Sequence, residues 1–183
     1  MSDQSNIFDI HTSYLWKDDN IDLLSIRSTG NPNAPEVGSL PGTNIDIALF
    51  LPSALTEISS LKEINHDYAE GSLLKPHFHW YPIDAGAGNV VLGFEYWASR
   101  NGVTVTDILS VTQAAPGVAY QPMVAIFDDI DLGEIALITT QFHFRLFRDG
   151  ANVADTYASN IAAGTLGLHY LTNSRGSRQL TVK

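Results

Sequence analysis

The chain has 183 residues, 44% of them hydrophobic and only 16% charged, with no cysteine and a net charge of −10. A single domain of this size buries a full core, and the excess of acid argues against a duplex nucleic-acid binder held by phosphate contacts. Without thiols there are no disulfides, thiolate zinc sites, iron–sulfur clusters or cysteine nucleophile, and no apolar run reaches the ~18 residues of a membrane-spanning helix.

The N-terminus, MSDQSNIFDIHTS, is acidic and polar and lacks the basic-then-apolar layout of a signal peptide, which predicts a protein made and kept in a cytosol-like space. Residues 1–44 read as an extended arm and linker. Ile7, Phe8, Ile10, Tyr14, Leu15 and Trp16 are isolated apolar anchors in polar sequence, Asn20 to Ser28 has the makings of a short strand, and GNPNAPEVGSLPG is too rich in proline and glycine for helix or central strand.

From Asn44 onward the pattern is that of strands. Ile45, Ile47, Leu49 and Leu51 alternate with Asp46, Ala48 and Phe50. Ser53 to Ile64 is ambiguous, because Leu55, Ile58, Leu61 and Ile64 recur every three residues in sequence that can equally be extended. LLKPHFHWYP (Leu73–Pro82) is a strand in which His77, His79 and Tyr81 share one face and Phe78 and Trp80 the other. DAGAGN reads as a hairpin turn.

In the next segment Val90, Leu92, Phe94, Tyr96 and Ala98 make one apolar face, and Asn101-Gly102 is a tight-turn signal leading into a β-branched partner strand. Pro122 to Asp128 is a short strand. EIALITTQFHFRLFRDG is the longest strand-like run, with Phe142, Phe144 and Leu146 opposite Gln141, His143 and Arg145. A short helix is the most that Ala154–Ala163 allows, and Leu166, Leu168 and Tyr170 share a face of the last strand. The prediction is all-β: an antiparallel β-sandwich or jelly roll of about seven to eight strands over residues 45–183, with the arm before it.

His77 and His79 are the residues on which chemistry would centre. They match the first half of a cupin signature, in which His-x-His and a later acid hold a metal inside a β-barrel, with Asp84 and Glu95 as nearby acids. The second cupin motif is missing, leaving only His143 or His169 as a last ligand, and Phe78 and Trp80 are the better core-formers. Inward aromatics put the histidines outside, where they suit a subunit joint, or a metal shared between symmetry mates. The expected interface residues are therefore His77, His79, Tyr81, His143 and Arg145. No catalytic or cofactor-binding residue is expected, and His77, His79 and His143 are the minor metal candidates.

Asp128 to Glu134 (DDIDLGE) lacks the spacing of an EF-hand and reads as a solvated acidic loop. DAGAGN precedes a strand, unlike a nucleotide-binding loop, and there is no G-x-S-x-G elbow or P-loop. Trp16, Tyr81, Trp97 and Tyr157 are candidate platforms for stacking on sugars.

Together, NHDYAEGSLLKPHFHWYP, GNVVLGFEYWAS, RLFRDG, DTYAS and LHYLTNSRGS resemble a family of small phage-encoded virion proteins. The matching positions are His66, Asp67, Glu70 and Gly71; Pro76, His77, His79 and Trp80; Gly88, Asn89, Glu95 and Tyr96; Arg145, Arg148 and Asp149; Asp155, Thr156 and Tyr157; and His169, Tyr170, Gly176 and Ser177. The resemblance implies a non-enzymatic structural protein, without cofactor, assembled in the host bacterial cytoplasm into a virion as a trimeric capsid decoration, cement or head-fibre protein. Its expected partners are copies of itself and the major capsid or another virion protein, with no nucleic acid and no membrane. The alternatives are a cupin-like metal-dependent enzyme and a receptor- or sugar-binding module of a phage fibre.

Overall fold

In the computed structural model the described residues are 14–23 and 31–173. Ile7, Phe8, Ile10, the second half of the Asn20–Ser28 segment, Gly176 and Ser177 lie outside them. The described residues form ten strands: β1 (Leu15–Asp22), β2 (Glu36–Ser39), β3 (Asp46–Phe50), β4 (Leu55–Glu63), β5 (Leu74–Pro82), β6 (Asn89–Arg100), β7 (Val103–Ala114), β8 (Met123–Ile126), β9 (Gln141–Asp149) and β10 (Ile161–Thr172). A 3-10 turn at Gly133–Ile135 is the one helical element among them.

The strands form two antiparallel sheets. One runs β2-β3-β10-β5-β8, with β1 added beside β10, and the other runs β4-β9-β6-β7. The eight strands from β3 to β10 thus interleave as β3-β10-β5-β8 over β4-β9-β6-β7, the double Greek key of a jelly roll. The all-β sandwich expected from the alternating sequence is the observed fold. Within the stretch read as arm and linker, β1 pairs with β10 from Leu15–Thr172 to Asp22–Thr165, and β2 pairs with β3.

The core lies between the sheets and follows the period-two pattern. Phe78 and Trp80 of β5, the row Val90 to Ala98 of β6, Phe142, Phe144 and Leu146 of β9, and Leu166, Leu168 and Tyr170 of β10 all face inward. The Trp80 indole donates from Nε1 to Gln113 Oε1 at 2.9 Å, so its one polar atom is satisfied inside the sandwich. Asn101 (φ 50°) and Gly102 (φ 82°) make the tight turn of the β6–β7 hairpin.

Five local expectations change or are settled. DAGAGN is not a hairpin turn: β5 and β6 belong to different sheets, and the segment carries the chain across. Gly88 (φ 142°) is needed there, because a Cβ would lie 2.6 Å from the Thr156 carbonyl oxygen. β3 turns Ala48 and Phe50 into the core, where the regular spacing of Ile45 to Leu51 had marked the other face. The ambiguous segment is strand β4, with Ile58 buried and Leu61 exposed, so its three-residue spacing serves two faces. The long run before β9 becomes a strand only at Gln141, after a left-handed Thr139 (φ 64°) and a Thr140 hydroxyl bonded to the Ile135 carbonyl break the extension. No helix forms at 154–163; the loop there leads directly into β10.

One end of the sandwich is tied by Arg148. Its side chain is fully buried and bonds both Asp155 oxygens as well as the carbonyls of Phe50, Tyr157 and Ser159. Asp155 Oδ2 also accepts from the Val91 amide at 3.0 Å. Strands β3, β6 and β9 and the loop before β10 therefore share one satisfied polar centre.

Candidate functional site

The side chains with the richest chemistry meet on the outer face of the six-stranded sheet, where β1, β10 and β5 lie side by side. In β5 the even positions are committed to the core, so His77, His79 and Tyr81 face outward. Opposite His77 on β10 is Gly167, and a Cβ there would sit 2.1 Å from His77 Cε1. The imidazole therefore lies over a glycine, in space that any larger residue would occupy.

His169, two residues along β10 and on the same face, brings its ring to 4.4 Å from that of His77, centroid to centroid. β1 places Asp18 opposite His169. Asp18 Oδ2 is 3.5 Å from His169 Nε2 and 3.8 Å from His77 Nε2. His79 meets His77 edge-on at 5.1 Å. With Val124 and Ile126 of β8, these residues line a cleft of about 330 Å³.

Although it faces outward, His77 is only 6% exposed, and its Nδ1 is buried without a hydrogen-bond partner. Burial pushes its pKa below the usual 6.5. The Asp18 carboxylate opposes that shift, the neighbouring His169 and His79 add to it, and the Lys75 backbone opposes it. The net shift favours the neutral imidazole over the charged one. One ligand atom each from Asp18, His77 and His169 lies within 4.8 Å of the others, the one such grouping of metal-binding side chains among the described residues.

β1 is held at this site by polar contacts on its other face. Lys17 Nζ reaches Asp67 Oδ2 at 2.7 Å, and Asp19 pairs with Lys62 and accepts from Asn65. Tyr170 donates its hydroxyl to Asp67 Oδ1 at 2.9 Å. Burial alone would push the Asp67 pKa up, but the hydrogen bonds from Lys17 and Tyr170 outweigh it and hold the carboxyl below its usual 3.8.

The other residues singled out from the sequence are dispersed. Tyr81 lies half-buried on the histidine face. His143 and Arg145 lie on β9, on the outer face of the other sheet, so no single histidine surface exists. There His143 packs edge-on against Trp97 at 5.2 Å, and Arg145 bridges Glu57 at 2.5 Å and Glu95 at 2.6 Å.

Asp84 accepts from the Tyr157 and Ser159 hydroxyls, just beyond the end of β5, and is not among the residues that line the histidine cleft. Tyr157 is buried, its hydroxyl pKa pushed up to about 12 chiefly by that burial, and it has no face for a sugar. Trp16 and Trp97 are exposed, with Lys75 Nζ 5.4 Å from the Trp16 ring. In the acidic loop, Asp129 pairs with Lys75 and Asp131 caps the Gly133 amide, so its carboxylates do not converge.

Two members of the cleft escaped the sequence reading in different degrees. His169 was visible only as a possible last ligand of a cupin-like set. Asp18 carried no signal, because β1 is a largely exposed strand whose WKDDNID sequence reads as polar arm. Several resemblance positions prove to be scaffold: Arg148 and Asp155 clamp a loop, Gly88 allows a close crossing, and Asp67 and Tyr170 anchor β1.

No protein-family model matches the chain, and a search of curated proteins gives no significant match. Among solved structures, the CBM22-2 xylan-binding domain of Paenibacillus barcinonensis Xyn10C aligns with 85% of this chain and 91% of its own at 15% identity and a TM-score of 0.43. The infectious bursal disease virus Gx strain structure aligns with 88% of this chain at 10% identity and a TM-score of 0.45, and the arabinose-bound MgGH51 α-L-arabinofuranosidase with 84% at 11% and 0.43. This chain spans 32% of the viral chain and 23% of the arabinofuranosidase. At such identities and TM-scores the likeness assigns no family and no role.

Proposed function

We propose that this protein is a non-enzymatic structural component of a bacteriophage virion, working as a homotrimer of the capsid decoration, cement or head-fibre type. The observation that carries the proposal is apolar surface exposed, among the described residues, on the face that also bears the histidines. Ile126 is 71% and Trp16 54% exposed there, and Val124 adds to them beside the free edge of a four-residue strand. Apolar side chains exposed on one sheet face, two of them on the edge strand β8, in a chain of low charge density suit burial against further copies of the same chain. The resemblance of the P-H-x-H-W, D-T-Y and H-Y segments to small virion proteins points the same way.

The cupin-like alternative loses its geometry, because the space between the sheets at β5 is filled by Phe78 and Trp80 while His77 and His79 lie outside. The test of the structural reading is the mass of the purified protein by light scattering, together with its location in a particle reconstruction. A trimer at micromolar concentration, placed on a particle three-fold axis, is expected; a monomer absent from particles overturns the reading.

A second reading, a sugar- or receptor-binding module of a fibre, is favoured by Trp97. Its ring is 43% exposed above His143, next to the Glu57–Arg145–Glu95 row. An aromatic face flanked by charged hydrogen-bonding groups can stack on a pyranose ring. A glycan array with the wild-type protein and Trp97→Ala separates this reading from the first.

A further inference from the structure

We propose that Asp18, His77 and His169 form a binding site for a divalent transition-metal ion, zinc above all, and that the ion clamps β1 onto the body of the sandwich. The three ligands come from three neighbouring strands, in the order β1, β10, β5. An ion held by all of them would tie the N-terminal strand to two strands that the jelly roll already fixes.

The distances suit such an ion. Bonds of ~2.1 Å in a tetrahedron set neighbouring ligand atoms about 3.4 Å apart. Asp18 Oδ2 already lies 3.5 Å from His169 Nε2 and 3.8 Å from His77 Nε2, so small side-chain rotations close the set. Two imidazoles and one carboxylate match zinc and its transition-metal neighbours, whereas calcium and magnesium favour all-oxygen sets.

The surroundings fit as well. His77 is buried, with its ring held over Gly167, so its position is fixed before any ion arrives. Asp18 and His169 are partly exposed, so an ion has a path in from solvent. His79 and the apolar side chains of Val124 and Ile126 line the same cleft as the three ligands. This is not the cupin arrangement, since the ligands sit outside the sandwich and two of the three lie on β10 and β1. The rival account is a plain ion pair between Asp18 and a protonated His169, which needs no metal.

The experiment uses the untagged full chain, stripped with a chelator and titrated with zinc chloride against a chromogenic competitor. About one zinc per chain is expected, with a rise in melting temperature on binding. Asp18→Asn and His169→Gln should each weaken binding by more than about ten-fold and remove the thermal shift, while His143→Gln on the opposite sheet changes neither. Both informative positions are partly exposed, so the test stands even if His77→Gln fails to fold. The proposal is overturned if no zinc binds, or if binding is unchanged in Asp18→Asn and His169→Gln. Binding is measured per chain, so either result leaves the assembly proposal to its own test.

Discussion

Arg148 and Asp155 face each other through two parallel hydrogen bonds, Nε to Oδ2 at 2.9 Å and Nη2 to Oδ1 at 2.7 Å, with both side chains fully buried. The guanidinium spends its remaining donors on three carbonyls, so no charge is left uncompensated. Asp155→Ala strands that charge in the interior and should destabilise the fold by about 3–5 kcal/mol. Arg148→Met should also be costly, since it orphans three carbonyls along with the carboxylate. Urea unfolding midpoints check both, and a loss below about 1 kcal/mol for Asp155→Ala would contradict this view of the clamp.

Gly167 is the position most sensitive to a single added carbon at the histidine cleft. A Cβ would overlap the His77 ring at 2.1 Å from Cε1 and 2.3 Å from Nε2. Gly167→Ala should therefore cost about 1–3 kcal/mol and displace the ring. The NMR resonances of the His77 imidazole are expected to shift while those of His143, on the other sheet, stay in place. An unmoved His77 signal would refute the close approach.

The docking of β1 should weaken in acid. Asp67 has a folded pKa below its usual 3.8, so its contribution is present above the unfolded pKa and is lost as pH falls through the folded value. Amide hydrogen exchange across Leu15–Asp22 should accelerate below about pH 4 relative to the core strands. In Asp67→Asn that acid-specific gain should shrink, because the ionic half of the contact is already gone. Lys17→Ala at neutral pH should cost about 1 kcal/mol, because the lysine is half exposed although its partner Asp67 is mostly buried.

If copies of the chain meet at the β8 margin, a charge placed there will separate them. Ile126→Glu is expected to shift the mass from trimer towards single chains and leave thermal stability within about 0.5 kcal/mol, because the residue is outside the core. Ile108→Glu, on the β7 edge of the other sheet, should leave the mass unaltered. The reverse result would move the interface to the opposite sheet.

The sequence by itself determined the strand character and the inward faces of β5, β6, β9 and β10. Their core-facing residues recur every second position, in β10 only from Leu166 onward beyond a register shift, and a two-residue period is a local property that needs no partner. The Asn101-Gly102 turn was legible for a similar reason: its positive φ angles are cheap for those two residues. From the alternation in β5 alone, Phe78 and Trp80 belonged inside and the histidines outside.

Tertiary structure decided everything that depends on which strands meet. The crossing of DAGAGN from one sheet to the other, the separation of His143 from His77, and the turning of Phe50 into the core are products of the jelly-roll pairing. So is the cleft itself. Asp18, His77 and His169 are far apart in the chain, and they converge only because β1 and β5 flank β10 on opposite sides, with a glycine at the contact. Pairing register is a long-range choice, and a polar strand such as β1 carries no apolar rhythm to announce it.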